Sequence, residues 1–347
     1  MPTRQKTKFR TKALVAKAKT TLIKQSKMKR LGNLYSKIVS IENLTAADQK
    51  AQKGKSNQYG VKLHNSKREE NILKLHSILK DNAYQTSKYD VFKVYEPKER
   101  EVYRLPYYPD RIVHHAIMNV LEPIFVSTFT ADTYSCIKGR GIHLLMNKLK
   151  TSLKDVDNTT YCLKLDIKKY YPSINHDVLK QLLRRKFKDV ELLDLLDEII
   201  ESANGLPIGN YLSQYFANFY LTYFDHWLKE DKKIKYYYRY ADDIVILYRD
   251  KAYLHAILAD IKSYLNTNLK LTVKSNYQIF PVKSRGIDFV GYVFYHTHVL
   301  LRKRIKQNFA RKLKSKNNAT SIPSYLGWLK HCNSNNLIKK LLPNEQF

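Results

Sequence analysis

The chain has 347 residues and carries 62 Lys and Arg against 31 Asp and Glu, a formal net charge of +31 that points to a polyanionic partner. With 44% hydrophobic and 12% aromatic residues it is no disordered polycation, and no apolar run approaches the ~18 residues of a membrane-spanning helix. Cys136, Cys162 and Cys332 are too few and too scattered for a disulfide framework or a zinc finger, which suits a reducing cytosol.

The length suggests about two structural units. Tyrosine outnumbers phenylalanine 27 to 13, so rings that could stack single-stranded bases accompany the cations. A+T-rich coding drift, which enriches Lys, Asn, Ile and Tyr together, accounts for the same excess.

In chain order, residues 1–30 hold eleven Lys or Arg and no acid. The composition is also that of a transit peptide or a nuclear-localisation run. Lys outnumbers Arg and no cleavage-type boundary follows, which favours an arm that contacts RNA or a partner. Beyond Leu31 the apolar pattern is regular. Glu69–Leu79 reads as a helix, and Val91–Tyr95 as a strand ending in the turn Glu96-Pro97-Lys98. Arg111–Phe125 has apolar residues every four positions and is predicted helical. Thr159–Ile167 alternates as a strand, Val178–Ile200 is a helix, and Ser213–Leu228 is an aromatic-rich helix. Tyr236–Tyr248 reads as two β runs about a turn, Tyr253–Leu265 as a helix and Ile287–Phe294 as a strand, and the last fifty residues are basic and helical. The fold class is α+β.

The acids carry the chemistry. Asp242 and Asp243 sit between the two β runs, where a hairpin would turn. Tight hairpins favour Asn-Gly or Asp-Gly, and adjacent acids between apolar strands repel unless a cation joins them. Hard oxygen ligands suit Mg²⁺ or Mn²⁺. Asp166 ends the strand Tyr161–Leu165 and supplies a third carboxylate if the two strands end side by side. Three acids can then hold two ions about 4 Å apart, one for the attacking oxygen and one for the leaving oxygen. The alternative is a capping Asp166 and a solvated acidic turn.

Leu165-Asp-Ile-Lys-Lys-Tyr-Tyr-Pro-Ser-Ile174 and Tyr240-Ala-Asp-Asp243 resemble the palm motifs of reverse transcriptases. Asp110-Arg-Ile-Val-His-His115 with Leu121-Glu-Pro-Ile-Phe125 is similar to the fingers segment of that family, and Gly286-Ile-Asp-Phe-Val-Gly-Tyr292 to its primer-grip strand. In Gly205-Leu-Pro-Ile-Gly-Asn-Tyr-Leu-Ser-Gln214, Ile208 and Gln214 stand where most reverse transcriptases carry Gln and Pro. That departure resembles the enzymes of bacterial and phage diversity-generating retroelements, as do Thr133–His143 and Ser324–His331.

The resemblance implies a right-hand polymerase: a basic arm (1–30), fingers (31–158), a palm with a small antiparallel sheet (159–295) and a short basic thumb (296–347). It implies RNA-templated DNA synthesis, with Asp166, the Ile167 carbonyl, Asp242 and Asp243 holding two Mg²⁺ ions. Lys98 and Arg100 become triphosphate contacts, and Tyr171 a ring that excludes the ribose 2′-hydroxyl. Ile208, Gly209, Gln214, Tyr240 and Ala241 line the nucleotide pocket, and Lys274 protonates the departing pyrophosphate. Arg111, Arg140, Arg302, Lys303 and Arg304 contact nucleic acid. Ile208 in place of a hydrogen-bonding Gln implies errors opposite template adenines. Implied partners are dNTPs, template RNA and its cDNA, and a small basic accessory variability protein, in the cytoplasm of a bacterial cell. Competing readings are a non-mutagenic defence-associated or group II intron-like reverse transcriptase, an RNA-dependent RNA polymerase, and a non-catalytic RNA-binding protein on the same scaffold.

Overall fold

The computed structural model describes residues 30–95, 99–314 and 322–341. The basic arm up to residue 29 and the expected triphosphate contact Lys98 lie outside the described residues.

The N-terminal layer is helical. Four helices, Tyr35–Val39, Ile41–Gln52, Tyr59–Asn65 and Arg68–Lys80, gather near the long helix Ile112–Thr128. That helix buries Ile112, Val113, Ala116, Ile117, Leu121 and Phe125, a stripe of spacing three and four that faces the core. Ser40 caps Ile41–Gln52 by accepting from the Asn43 amide at 3.2 Å. Between these helices projects a hairpin, β1 (Asp90–Tyr95) with β2 (Glu99–Arg104), largely exposed on both strands.

The central sheet takes five strands in the order β3–β5–β6–β4–β7, namely Thr133–Tyr134, Tyr236–Tyr240, Asp243–Tyr248, Tyr161–Asp166 and Gln278–Pro281. Among the described residues of this sheet only the β3–β5 pair is parallel. Alternation sorts the side chains onto two faces. Leu163, Leu165, Tyr237, Ile244 and Ile246 pack with the helices His176–Lys186, Val190–Glu201, Tyr211–Tyr220 and Lys251–Leu269. Cys162, Tyr236, Tyr238, Val245 and Leu247 pack with the helix Ile142–Ser152 and with a second sheet. That sheet orders β10 (Val299–Leu301), β9 (Tyr292–Phe294) and β8 (Ile287–Phe289), followed by the helices Lys303–Leu313, Ile322–Leu329 and Asn335–Leu341.

Three predicted elements divide. Val178–Ile200 is two helices, because Phe187 turns extended and buries edge-on against Phe125 at 5.9 Å. There Leu31 pairs with the backbone of Lys186 and Lys188, and the Asp189 carboxylate accepts from the Leu34 and Tyr35 amides at 2.7 and 2.9 Å. Ser213–Leu228 is Tyr211–Tyr220 followed by Thr222–His226 and a wider turn through Asp231. Ile287–Phe294 is the hairpin β8–β9, reversing at Val290 and Gly291 with positive φ at both.

Candidate active site

Asp166 is the last residue of β4 and stands directly opposite Asp243, the first residue of β6. Opposed side chains in such a ladder lie about 4.5–5.5 Å apart at Cβ. The turn itself is Ala241-Asp242, with Ala241 taking the left-handed conformation at φ 54°, so Asp243 belongs to the strand. The sequence pattern alone centres the turn on the two acids. The shift by one residue puts Asp243 on the same face as Asp166, facing away from the palm helices.

Crowding and burial at one sheet end disfavour the ionisation of Asp242 and Asp243. Burial, then Asp166 and Asp243, push Asp242 up to about 7. Asp243 is also raised, by burial and Asp166, against the opposing charges of Lys164, Arg302 and Lys274. Lys274 donates to Asp166 Oδ2 through its ammonium and to the Asp166 carbonyl through its amide, the latter at 2.9 Å. Among the described residues the buried Asp166 Oδ1 finds no hydrogen-bond partner. A buried acceptor beside two carboxyls held above their usual range fits a divalent cation. Among the described residues no three acidic, His or Cys side chains already converge as a cage, so the acids are juxtaposed and not yet gathered.

Tyr171 leads the short turn after β4 and packs edge-on against Tyr170 at 5.7 Å. Burial, with Cys136 and Asp242 nearby, raises its hydroxyl above the phenol range, so the ring is neutral. The loop before the helix Tyr211–Tyr220 lies on it: the Leu206 amide donates to the Tyr171 carbonyl at 2.9 Å. A Cβ on Gly205 would meet that carbonyl at 2.6 Å, and one on Gly209 would meet the Tyr103 carbonyl at 2.4 Å. The two glycines seat the loop between the palm and β2, where the Ile208 carbonyl accepts from the Tyr103 amide at 2.8 Å. Ile208 is half-buried, and Gln214 is exposed one turn into the following helix. Arg100 is exposed on β2 opposite Val94, and Tyr240 and Ala241 border the acids.

The expected nucleic-acid contacts part company. Lys303 and Arg304 are exposed on the helix Lys303–Leu313. Arg302 is bound to Asp288 at 2.5 Å, and Lys164 donates to the Asp288 carbonyl. Arg140 donates to the Thr130 carbonyl at 3.1 Å, a contact internal to its own loop. Arg111 is half-buried in the helical layer, at the N-terminus of the helix Ile112–Thr128.

Behind the acidic turn lies a cluster that the sequence reading missed. Arg239 and Asp225 are both fully buried and joined through Nε and Nη2 at 2.6–3.0 Å. Arg239 also donates to Asn218 Oδ1 at 3.1 Å and to the Ala241 carbonyl at 3.0 Å. Asp225 further accepts from Thr133 and Tyr237. The available signal was an arginine inside an apolar strand at a position facing the helices, which demands a buried acid.

The profile of the reverse transcriptase (RNA-dependent DNA polymerase) family matches residues 96–294, more than half of the chain. The chain belongs to that family, and its fold is the right-hand polymerase fold, with the five-stranded sheet as palm. Protein YkfC of Escherichia coli is 26% identical over 288 residues, covering 67% of this chain and 74% of that protein. The group II intron-encoded protein LtrA of Lactococcus lactis is 25% identical over 179 residues, or 47% of this chain, which spans only 29% of LtrA. Telomerase from Candida Tropicalis, solved with a fragment of telomeric RNA, aligns over 74% of this chain and 55% of its own at TM-score 0.48 and 12% identity.

Proposed function

We propose that the chain copies RNA into DNA, joining a primer 3′-hydroxyl to the α-phosphate of an incoming dNTP. The observation that carries this reading is the register of Asp166 against Asp243, with Asp242 in the adjoining turn and Asp166 Oδ1 bare. Asp166, Asp242 and the Ile167 carbonyl are assigned as direct ligands of Mg²⁺ or Mn²⁺, and Asp243 as a weaker one. Bound there, two such ions supply the positive charge that lowers the pKa of the attacking hydroxyl and stabilises the leaving oxygen. Lys274, whose ammonium meets the Asp166 carboxylate, is the proton donor for pyrophosphate. Tyr171, half-buried beneath the loop that carries Ile208, is the ring that excludes a 2′-hydroxyl. Lys98, together with Arg100 on β2, takes the triphosphate, and residues 31–158, 159–295 and 296–347 act as fingers, palm and thumb.

Ile208, Gln214 and the motifs around Cys136 and Trp328 support a finer assignment to a diversity-generating retroelement that makes adenine-mutagenised cDNA. A template RNA and a basic accessory protein belong to that assignment, with action in the cytoplasm; no helix among the described residues is long and apolar enough to cross a membrane. LtrA, an intron-encoded relative, supports the second reading, a group II intron-like enzyme without mutagenic bias. Primer extension on RNA with dNTPs and Mg²⁺ tests the activity, and undiminished synthesis by Asp242→Asn would refute the metal assignment. Sequencing the cDNA separates the two subtypes: errors concentrated opposite adenines support the first, and errors spread evenly over the four bases support the second.

A further inference from the structure

Three residues at one end of the palm sheet hold a left-handed backbone without being glycine: Ser135 at φ 85°, Cys136 at φ 56° and Ala241 at φ 54°. Such conformations are unfavourable for a residue with a Cβ and persist only where the surroundings enforce them. The strand register brings the three together. β3 runs parallel to β5 with Tyr134 opposite Tyr240, so Ser135 and Ala241 are the next residues to leave the two strands, side by side, and Ala241 leads into Asp242.

One buried side chain joins the two segments. Asn218, in the helix Tyr211–Tyr220, donates from Nδ2 to the Ser135 carbonyl at 3.0 Å and accepts at Oδ1 from Arg239 Nη1 at 3.1 Å. The same Nη1 donates to the Ala241 carbonyl at 3.0 Å. The amide thus uses a donor and an acceptor at once, one toward each strained segment; a carboxylate in its place would only accept, and an aliphatic chain would do neither. Asp225 already neutralises Arg239, so what Asn218 adds is a fixed spacing and not charge. The helix that carries it also reaches the expected steric gate: the Ala217 carbonyl accepts from the Tyr170 hydroxyl, and in the loop before the helix the Leu206 amide donates to the Tyr171 carbonyl. We propose that Asn218 is a positioning residue for the incoming nucleotide: holding Ser135–Cys136 directly and Ala241–Asp242 through Arg239, it sets the gap in which the dNTP sits. The inference rests on the polymerase reading above.

The test is steady-state primer extension by the full chain on an RNA template, with kcat and KM for the dNTP separated. Asn218→Asp keeps an acceptor for Arg239 and loses the donor to Ser135. It raises KM about tenfold, the range of one buried hydrogen bond lost with its partner stranded, and leaves kcat near the wild-type value. Asn218→Ala releases both segments, so kcat falls as well. Equal losses of kcat in the two variants with KM unchanged, or no change in either parameter, overturn the proposal. A second measurement uses the wild type and depends on no variant's folding. Cys136 is exposed, whereas Cys162 is buried and Cys332 partly so, and alkylation by N-ethylmaleimide is read at Cys136 by peptide mass spectrometry. With a primer ended in a dideoxynucleotide, the matched dNTP and Mg²⁺ slow alkylation beyond the effect of template–primer alone. Equal rates with and without the dNTP overturn the proposal. A wild type that extends no primer defeats the polymerase reading and the inference with it, whereas normal extension by the wild type with kcat and KM retained in Asn218→Ala defeats the inference alone.

Discussion

Two charged clusters lie back to back at one end of the palm sheet, and they are built on opposite principles. In the Arg239–Asp225 cluster both side chains are fully buried, and each finds several partners: Asn218 and the Ala241 carbonyl for the guanidinium, Thr133 and Tyr237 for the carboxylate. On the other face Asp166, Asp242 and Asp243 crowd together with one oxygen bare and two carboxyls raised. The first cluster is finished by the chain alone. The second carries excess negative charge, which the divalent cations proposed above would offset. Arg239 reaches the Ala241 carbonyl, so the finished cluster holds the very turn on which the acidic one depends.

Substitutions can break this contrast. The largest effect is on activity: Asp242→Asn removes a charge that the fold disfavours, so primer extension falls by about 10³-fold or more while thermal stability holds or rises. A fall in both would mean that the acids are structural. Next, Arg239→Met or Asp225→Ala alone strands a buried charge and costs about 3–5 kcal/mol in denaturant unfolding. Combining Arg239→Met with Asp225→Leu costs less than the sum, because no unpaired charge remains. Strict additivity would show that the two residues do not act as a pair. Tyr171→Ala raises ribonucleotide incorporation by about 10- to 200-fold, the range of a steric pocket, read from the ratio of kcat/KM for rNTP and dNTP.

The smallest effect concerns pH and lies in the helical layer. Burial opposes ionisation of Asp48, but hydrogen bonds from His64, Tyr107, Gln52 and Arg68 outweigh it and hold the carboxyl below the usual range. A lowered folded value contributes stability that is present above the unfolded carboxyl value near 4 and is lost as pH falls through the folded one. The stability difference between wild type and Asp48→Asn therefore narrows from pH 7 to pH 3. A difference independent of pH would show that packing, and not charge, is what Asp48 supplies.

Much of the palm was legible in the sequence, because alternation is local: β4, β5 and β6 follow from period-two patterning in Tyr161–Leu165 and Tyr236–Tyr248. The partner strand β2 was not, since Glu99–Arg104 is exposed and charged and carries no apolar alternation. The break at Phe187 was hidden too, because its cause is a backbone pairing with Leu31 more than 150 residues away.

By itself the sequence determined the chemistry available: three acids at strand ends, a tyrosine five residues after the first, and a surplus of cations. These depend on residue identity and short spacing, which a chain carries with it unfolded. Only the tertiary structure decided the register of Asp166 against Asp243, the buried ion pair beneath their turn, and which cations are already engaged by Asp288 or Thr130. Those facts join residues distant in the chain, and their energies depend on burial, which exists only once the chain has folded.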